Sequence, residues 1–81
     1  MDFGELQMFL AVAREGSFSR AAEKLYRTQP AVSLSVRKLE ESIGQTLFVR
    51  GSRPIRLTDA GKLLQEYADR LVNLRDEVTK G

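Results

Sequence analysis

One segment in the middle of the sequence carries side chains suited to contact with the edges of nucleic-acid bases. Gln29 and Ser33 can each exchange hydrogen bonds with a base edge, and Arg37 can reach a guanine or a phosphate. Ala31 is small and permits close approach. A single Gln or Ser is more often part of an ordinary solvated helix face. It is the combination of these residues with the nearby arginines that favours a polyanion as partner.

A second group of candidate residues is cationic. Arg50, Arg53 and Arg56 flank and cap a short turn, and no acidic residue occurs between Gln45 and Leu57. Three like charges so close in sequence repel one another unless a polyanion neutralises them. The pattern therefore predicts that this turn binds phosphate.

The sequence offers little for enzyme chemistry. Cysteine and histidine are both absent, which removes disulfides, thiolate and imidazole metal ligands, and the usual nucleophile pairs. Glu40 and Glu41 are neighbours on a predicted helix, where adjacent side chains diverge, so we interpret them as a solvated face. We predict no catalytic residue, no metal site and no cofactor, and do not expect an enzyme.

Length and composition favour one small domain outside the membrane. A chain of 81 residues closes over a single small core, and a hydrophobic share of 42% is typical of a globular protein. No apolar run approaches the ~20 residues that span a bilayer. Residues 1–10 include acidic side chains and begin an amphipathic pattern, so we expect no export signal and predict a cytoplasmic, nucleoid-associated location.

Charge is unevenly distributed, although the net charge is only +2. Residues 20–62 carry nine Lys or Arg against four acidic residues, whereas the flanks carry four basic residues against seven acidic ones. A basic middle between acidic ends favours a polyanion-binding face with a separate assembly element.

Two predicted helices precede the polar segment. The apolar residues of the first recur at helical spacing, and Gly16 is placed to end it. Its core-facing residues are Leu6, Phe9, Leu10 and Ala13. Residues 17–19 then offer a serine cap and a core aromatic for a short second helix over 20–25, and residues 26–27 make a turn.

The third predicted helix carries the polar segment. Thr28 can cap it, Pro30 sits in its first turn and Gly44 is placed to end it. Its core stripe is predicted to be Val32, Val36, Leu39 and Ile43. The opposite, outward arc holds Pro30, Ala31, Leu34, Arg37, Lys38 and Glu41, with Gln29 and Ser33 at its edge.

A hairpin and a long helix complete the predicted elements. Two short strand-like runs, 47–50 and 55–57, are joined by the turn 51–54. Thr58 can cap the last helix. Its apolar residues have the spacing of a helix-helix seam: Ala60, Leu64, Tyr67, Leu71, Leu74 and Val78. Leu63 and Val72 lie beside this seam, so part of the helix is expected to pack on the domain while its far end reaches outward.

Helix, short helix, tight turn and helix form the helix-turn-helix pattern, in which two helices brace a third whose outer face enters the DNA major groove. The predicted fold class is mainly α. Residues 1–57 form a winged helix-turn-helix with a three-helix core and a two-stranded wing, and residues 58–81 form a long linker and dimerisation helix.

Leu34, a large apolar residue on the outward arc, fits either a thymine methyl group or an interface with another protein.

Many separate positions between Phe3 and Leu64 match one known family at the family's spacing. The matching residues are Phe18-Ser19-Arg20-Ala21-Ala22-Glu23-Lys24-Leu25, Thr28-Gln29-Pro30-Ala31-Val32-Ser33, Leu39-Glu40, Ile43-Gly44, Leu47-Phe48, Arg50, Arg53 and Leu57-Thr58-Asp59-Ala60-Gly61. On these residues the chain resembles the LysR-type transcriptional regulators. The resemblance implies a homodimer, able to form a tetramer in the full-length protein, that binds operator double-stranded DNA and activates or represses under a small-molecule co-inducer. It places the co-inducer site in a C-terminal effector-binding domain that is absent from these residues.

The resemblance also implies the residues that contact DNA. Carried over by position, they are Thr28, Gln29, Pro30, Ala31, Ser33, Leu34, Arg37 and Arg53, with Arg50 in a supporting role. Lys38 and Ser52 complete the predicted DNA-binding set. The predicted dimer interface is Leu64, Tyr67, Leu71, Leu74 and Val78. Many relatives carry a polar or basic residue where this chain has Leu34.

Two functions of different classes fit these observations. The first is sequence-specific DNA binding by a dimer, and the second is a winged-helix module that binds another protein through its outer face. Phosphate contacts release counterions, so DNA affinity should fall steeply with salt, whereas an apolar protein interface should barely respond.

Overall fold

The computed structural model describes residues 1–80, and within them four α-helices and one two-stranded antiparallel sheet follow one another. The elements are α1 (Phe3–Glu15), α2 (Phe18–Leu25), α3 (Gln29–Ile43), β1 (Phe48–Val49), β2 (Arg56–Leu57) and α4 (Asp59–Lys80). The predicted mainly α architecture of three helices, a two-stranded wing and a long last helix is confirmed. None of the helices in this part of the chain has both the length and the apolar character needed to cross a membrane.

Local residues set the ends of the first three helices. The Ser17 hydroxyl accepts a hydrogen bond from a backbone N–H of α2, and the Thr28 hydroxyl does the same for α3. Gly16 and Gly44 follow α1 and α3 in the left-handed conformation. Because the first N–H groups and last carbonyls of a helix have no partner within it, Ser17 and Thr28 satisfy free groups at the starts of α2 and α3, and Gly16 and Gly44 end α1 and α3 where the sequence predicts. The predicted start of α2 at residue 20 is wrong, because Ser17 caps a helix that already begins at Phe18.

The hydrophobic core lies where α1, α2 and α3 meet beneath the wing. The largest fully buried side chains are Phe9, Leu10, Val12, Val32, Val36, Leu39 and Leu47. The Phe48 ring adds the base of the wing to this core, since its centroid lies 5.3 Å from that of Phe9 and 5.7 Å from that of Phe18. The inner face of α3 is therefore anchored, which leaves its outer face to solvent.

Two details of the predicted packing are wrong. Ile43, which the spacing places on the core stripe of α3, is 37% exposed, because it is the last residue of the helix and lines an open groove beside Leu63 and Tyr67 of α4. The hairpin is also shorter than the predicted runs, since strand pairing joins only Phe48 to Leu57 and Val49 to Arg56. Leu47, expected in the first strand, is instead a fully buried core residue.

α4 packs on the rest of the domain as far as Arg75, whose guanidinium lies 4.4 Å from the centroid of the Phe3 ring of α1. Gly61 and Ala68 are buried, Val72 is partly buried against the core, and Arg14 Nη2 donates a 2.7 Å hydrogen bond to Asp69 Oδ1. This part of α4 belongs to the same packed body as the helix-turn-helix. The division of the chain into a winged helix-turn-helix at residues 1–57 and a linker and dimerisation helix at residues 58–81 therefore stays a prediction about function.

Candidate nucleic-acid interface

The outer face of α3 is exposed from the first turn to the last. Because the inner face is buried, the opposite residues stand clear of the domain, as predicted. They are Gln29, Pro30, Ala31, Leu34, Arg37, Lys38 and Glu41, with Ser33 half-buried at the edge. Leu34 is 50% exposed in the middle of this polar arc. A convex, braced helix face of this kind can enter a groove without any change in the fold.

Thr28 fixes the N-terminal end of this face. Its hydroxyl oxygen accepts a 3.3 Å hydrogen bond from the N–H of Ala31, so one role of Thr28 is to start α3. Pro30 lies in the first turn, where its missing N–H leaves no gap in the helix. The positions of Gln29 and Ala31 are therefore set by local geometry as well as by the core.

The tip of the wing presents Arg53. Beside it, the Ser52 hydroxyl donates to the carbonyl of Val49 at 2.9 Å and accepts from the N–H of Arg56 at 3.2 Å. Ser52 thus closes the turn, with its hydroxyl engaged inside the wing. Arg53 and Arg56 are exposed and form no ion pair within residues 1–80.

Arg50 differs from the other two wing arginines because it has an anionic partner. Its Nη2 donates a 2.9 Å hydrogen bond to Glu40 Oε1, and its guanidinium lies 4.9 Å from the centroid of the Phe18 ring. The prediction that all three arginines repel one another unless a polyanion neutralises them is therefore wrong for Arg50, since Glu40 of α3 supplies a carboxylate. The interpretation of Glu40 as a solvated face is also wrong, because its side chain is only 12% exposed.

A cleft of about 640 Å³ separates the wing from the start of α2. Residues 16–20 line one side and residues 51–55 line the other. At its floor the N–H of Ile55 donates a 2.9 Å hydrogen bond to the carbonyl of Gly16, which ties the wing to the turn between α1 and α2. The wing is thereby held against the three-helix core at a defined position.

The apolar stripe of α4 is exposed, but it includes Leu63 in place of Leu64, which was predicted for the dimer interface. Tyr67, Leu71, Leu74 and Val78 are between 48% and 72% exposed. Leu64, predicted in the same stripe, packs against the core, whereas Leu63, expected to pack on the domain, is 56% exposed. The cause is the rotation of α4 about its axis, because the buried side of the helix is set by Gly61 and Ala68. Below, the exposed stripe means Leu63, Tyr67, Leu71, Leu74 and Val78.

The charged side chains of α3 and the wing are exposed, except that of Glu40, which is partly buried. Within residues 1–80, no polar or charged residue is buried, and no three acidic side chains come together as metal ligands. The exposed cations of α3 and of the wing are therefore available to a large polyanion.

Two residues that shape this surface, Glu40 and Gly61, are not among the predicted site residues. Glu40 joins α3 to the wing across ten residues, and Gly61 lets α4 lie against the chain at Leu47. Both belong to the positions that carry the family resemblance, and this was the signal available for finding them. Helical periodicity could not find them, because both contacts are tertiary.

Residues 3–62 match the family model described as bacterial regulatory helix-turn-helix protein, lysR family. The chain belongs to the LysR family. Among curated LysR-like relatives, it is 46% identical over 76 residues to a probable RuBisCO transcriptional regulator of Synechocystis, a match that covers 94% of this chain and 22% of the relative. It is 48% identical over 68 residues to a probable cat1 operon transcriptional activator of Acinetobacter lwoffii, covering 84% of this chain and 22% of the relative.

A solved structure shows the same LysR-family fold. The chain matches a crystal structure described as a BenM_DBD/benA site 1 DNA complex with a TM-score of 0.96 at 39% identity, covering 99% of this chain and 90% of that chain. The winged helix-turn-helix interpretation is thereby confirmed. The chain spans 22% of the length of the two curated relatives, so the comparison concerns one part of such regulators.

Proposed function

We propose that this chain binds specific sequences of double-stranded DNA as the DNA-binding part of a homodimeric LysR-type transcription regulator. The observation that carries the proposal is the exposed outer face of α3, which presents Gln29, Ser33 and Arg37. Thr28 caps this helix, and its inner face is buried against α1 and α2. A chain of the same fold has been crystallised with DNA, which supports this use of the face. In this proposal α3 enters the major groove.

The N-terminal half of α3 reads the bases. Gln29 and Ser33 exchange hydrogen bonds with base edges, and Leu34 contacts a thymine methyl group. Thr28, Pro30 and Ala31 form a compact first turn, which brings the helix close to the floor of the groove. Together these residues supply the sequence dependence of binding.

Cations on α3 and the wing hold the DNA backbone. Arg37 and Lys38 lie further along the exposed face of α3, where they neutralise phosphates, and Arg53 at the wing tip binds a phosphate or the minor groove. Ser52 contributes by shaping the turn that presents Arg53. Arg50 supports binding from the base of the wing, where it is paired with Glu40.

The exposed stripe of α4 is the proposed dimer interface. An apolar stripe at helix-helix spacing is stable in water when another helix covers it, and a second copy of the chain supplies an identical stripe. Leu64 lies at the edge of this interface, where it also contacts the core. A dimer holds two α3 helices at one spacing, so that both bind half-sites of one operator.

The wider function follows from the relatives. Both curated relatives described above are named as transcriptional regulators or activators, so we propose a regulatory role and assign no catalysis to this chain. We place the co-inducer site outside residues 1–81, and the site of action in the cytoplasm at the nucleoid, where operator DNA is found. Tetramers belong to the full-length protein.

Selection of bound fragments from a random pool of double-stranded DNA tests the proposal. The selected sequence, labelled and titrated by fluorescence anisotropy at several salt concentrations, should bind far more tightly than a scrambled sequence of the same composition. The logarithm of the affinity should fall linearly and steeply with the logarithm of salt concentration. Equal affinity for both sequences, or an affinity that ignores salt, would contradict sequence-specific DNA binding.

A further inference from the structure

The carboxylate of Glu40 contacts the chain on both sides of strand β1. Oε2 accepts a 2.7 Å hydrogen bond from the N–H of Leu47, the residue before the strand. Oε1 accepts a 2.9 Å hydrogen bond from the guanidinium of Arg50, the residue after the strand. One side chain near the C-terminal end of α3 thus brackets the strand that leads into the wing.

Leu47 is the fixed end of this arrangement. Its side chain is fully buried, and its carbonyl oxygen accepts a 3.0 Å hydrogen bond from the N–H of Thr58 at the start of α4. Gly61 also lies directly against that carbonyl. Leu47 is therefore held on several sides, and Glu40 joins α3 to a buried, hydrogen-bonded point of the core.

Arg50 is the end at which the wing leaves the core. In the described part of the chain, residues 50–55 are hydrogen-bonded to the helical core and its turns at two points, Arg50 to Glu40 and Ile55 to Gly16. The Arg50 guanidinium also lies over the Phe18 ring, so it is held between the first residue of α2 and the end of α3. Loss of the carboxylate contact would leave one of these two hydrogen-bonded points.

We infer that Glu40 is a positioning residue that sets where the wing, and with it Arg53, stands relative to the recognition helix α3. The inference rests on the proposed function, since it concerns how the wing reaches DNA. An ionised carboxylate suits the site because both partners are donors and both hydrogen bonds are satisfied at once. The amide of glutamine has one acceptor oxygen and would turn an NH₂ donor toward the other partner.

The variant Glu40→Gln tests the inference, with Glu41→Gln as the matched control. Glu41 is the next residue on α3, is exposed and forms no ion pair within residues 1–80. Glu40→Gln should lower operator affinity by roughly 10-fold and reduce the salt slope by about one unit, because one phosphate contact is lost. Glu41→Gln should bind at least as tightly as the original chain. Discrimination against a base change read by Gln29 should survive in both variants.

A double-mutant cycle separates positioning of the wing from general loss of structure. In the Arg53→Ala background, Glu40→Gln should cost less than about 2-fold in affinity, because the contact through which it acts is already gone. Hydrogen exchange should rise across residues 46–55 and stay unchanged in α1. Additive losses in the cycle, or exchange that rises equally throughout the domain, would overturn the inference.

Two further measurements keep the outcome decisive. If Glu40→Gln does not fold, Glu40→Asp takes its place, since a carboxylate one methylene shorter cannot reach both donors. An Asp variant that matches the original chain in hydrogen exchange across residues 46–55 and in the salt slope of DNA binding would overturn the inference. If the original chain binds no DNA sequence selectively, the proposed function fails. Hydrogen exchange across residues 46–55, compared between Glu40→Gln and Glu41→Gln, then still tests whether Glu40 positions the wing.

Discussion

The carbonyl oxygen of Leu47 lies directly against Gly61, so close that a Cβ atom on Gly61 would stand less than 3.0 Å from it. The obstacle is backbone, which cannot swing aside as a flexible side chain does. The contact holds the first turn of α4 against the chain that enters the wing. The absence of a side chain at Gly61 therefore lets α4 pack on the three-helix core.

Gly61→Ala should destabilise the fold, by about 1 to 3 kcal/mol for a small group forced into a packed site. The free energy of unfolding, measured with urea, is the test. Gly4→Ala is the matched control, because Gly4 also lies in a helix and the atom nearest to a Cβ there is a side-chain oxygen, Asp2 Oδ1 at 3.3 Å, instead of backbone. Helix propensity favours alanine there by up to about 1 kcal/mol, so the control should be neutral or stabilising. Equal effects in the two variants would show that the contact with Leu47 is not limiting.

Arg53→Ala should weaken operator binding and reduce the salt slope by about one unit, since the exposed guanidinium is proposed to neutralise one phosphate. The thermal midpoint should stay unchanged, because Arg53 is exposed at the wing tip and forms no ion pair within residues 1–80. Anisotropy titrations at several salt concentrations measure both quantities. Lys80→Ala, a loss of the same charge at the far end of α4, should leave the slope nearly unchanged. An unaltered slope in Arg53→Ala would remove this residue from the interface.

Gln29→Ala and Ser33→Ala should each lower discrimination between the operator and a single-base variant, by roughly 1 to 3 kcal/mol for a good base contact. Binding to non-specific DNA should hardly change, because neither residue neutralises a phosphate. Competition titrations with matched and mutated operators give the two affinities. If each variant loses affinity equally for every sequence, α3 is not the element that reads the bases.

Leu71→Glu should separate the dimer, because it places a charge in the middle of the exposed stripe of α4, at a cost of roughly several kcal/mol if the charge stays buried. The monomer should still fold, since Leu71 is 48% exposed in the single chain. DNA affinity should fall by about 100-fold or more, because two linked recognition helices gain effective concentration that one lacks. Sedimentation and DNA titration should therefore change together.

Asn73→Glu supplies the control for the dimer prediction. It adds the same charge to an exposed position of α4 that lies outside the exposed stripe. This variant should remain a dimer and keep its affinity for DNA. A Leu71→Glu variant that is still a dimer would mean that the stripe is not the interface, whatever the DNA titration shows.

Local patterns in the sequence predicted most of the helical structure. The apolar spacing of α1 and α3, the caps at Ser17 and Thr28 and the stops at Gly16 and Gly44 all depend on residues within a turn or two of each other. Such short-range interactions can be inferred without knowing what packs against the helix. The same patterns gave the outward arc of α3, which is where the candidate base contacts lie.

The errors share a cause, which is that burial depends on neighbours that periodicity does not name. Ile43 continues the core spacing of α3 but lies at its end, where it is exposed. On α4, Leu63 and Leu64 have the same side chain, and the close approach of Gly61 sets the rotation that partly buries Leu64 and exposes Leu63. A stripe predicted from spacing alone can therefore be wrong by one residue.

By itself the sequence determined the helices, the winged helix-turn-helix order, the polar face of α3 and the family, because these depend on local spacing and on residues matched position by position. The tertiary structure alone decided that Glu40 faces Leu47 and Arg50 instead of solvent. It also decided which side of α4 is left for a partner. Both depend on contacts between segments distant along the chain, where a residue's role is set by the neighbour that packing brings to it.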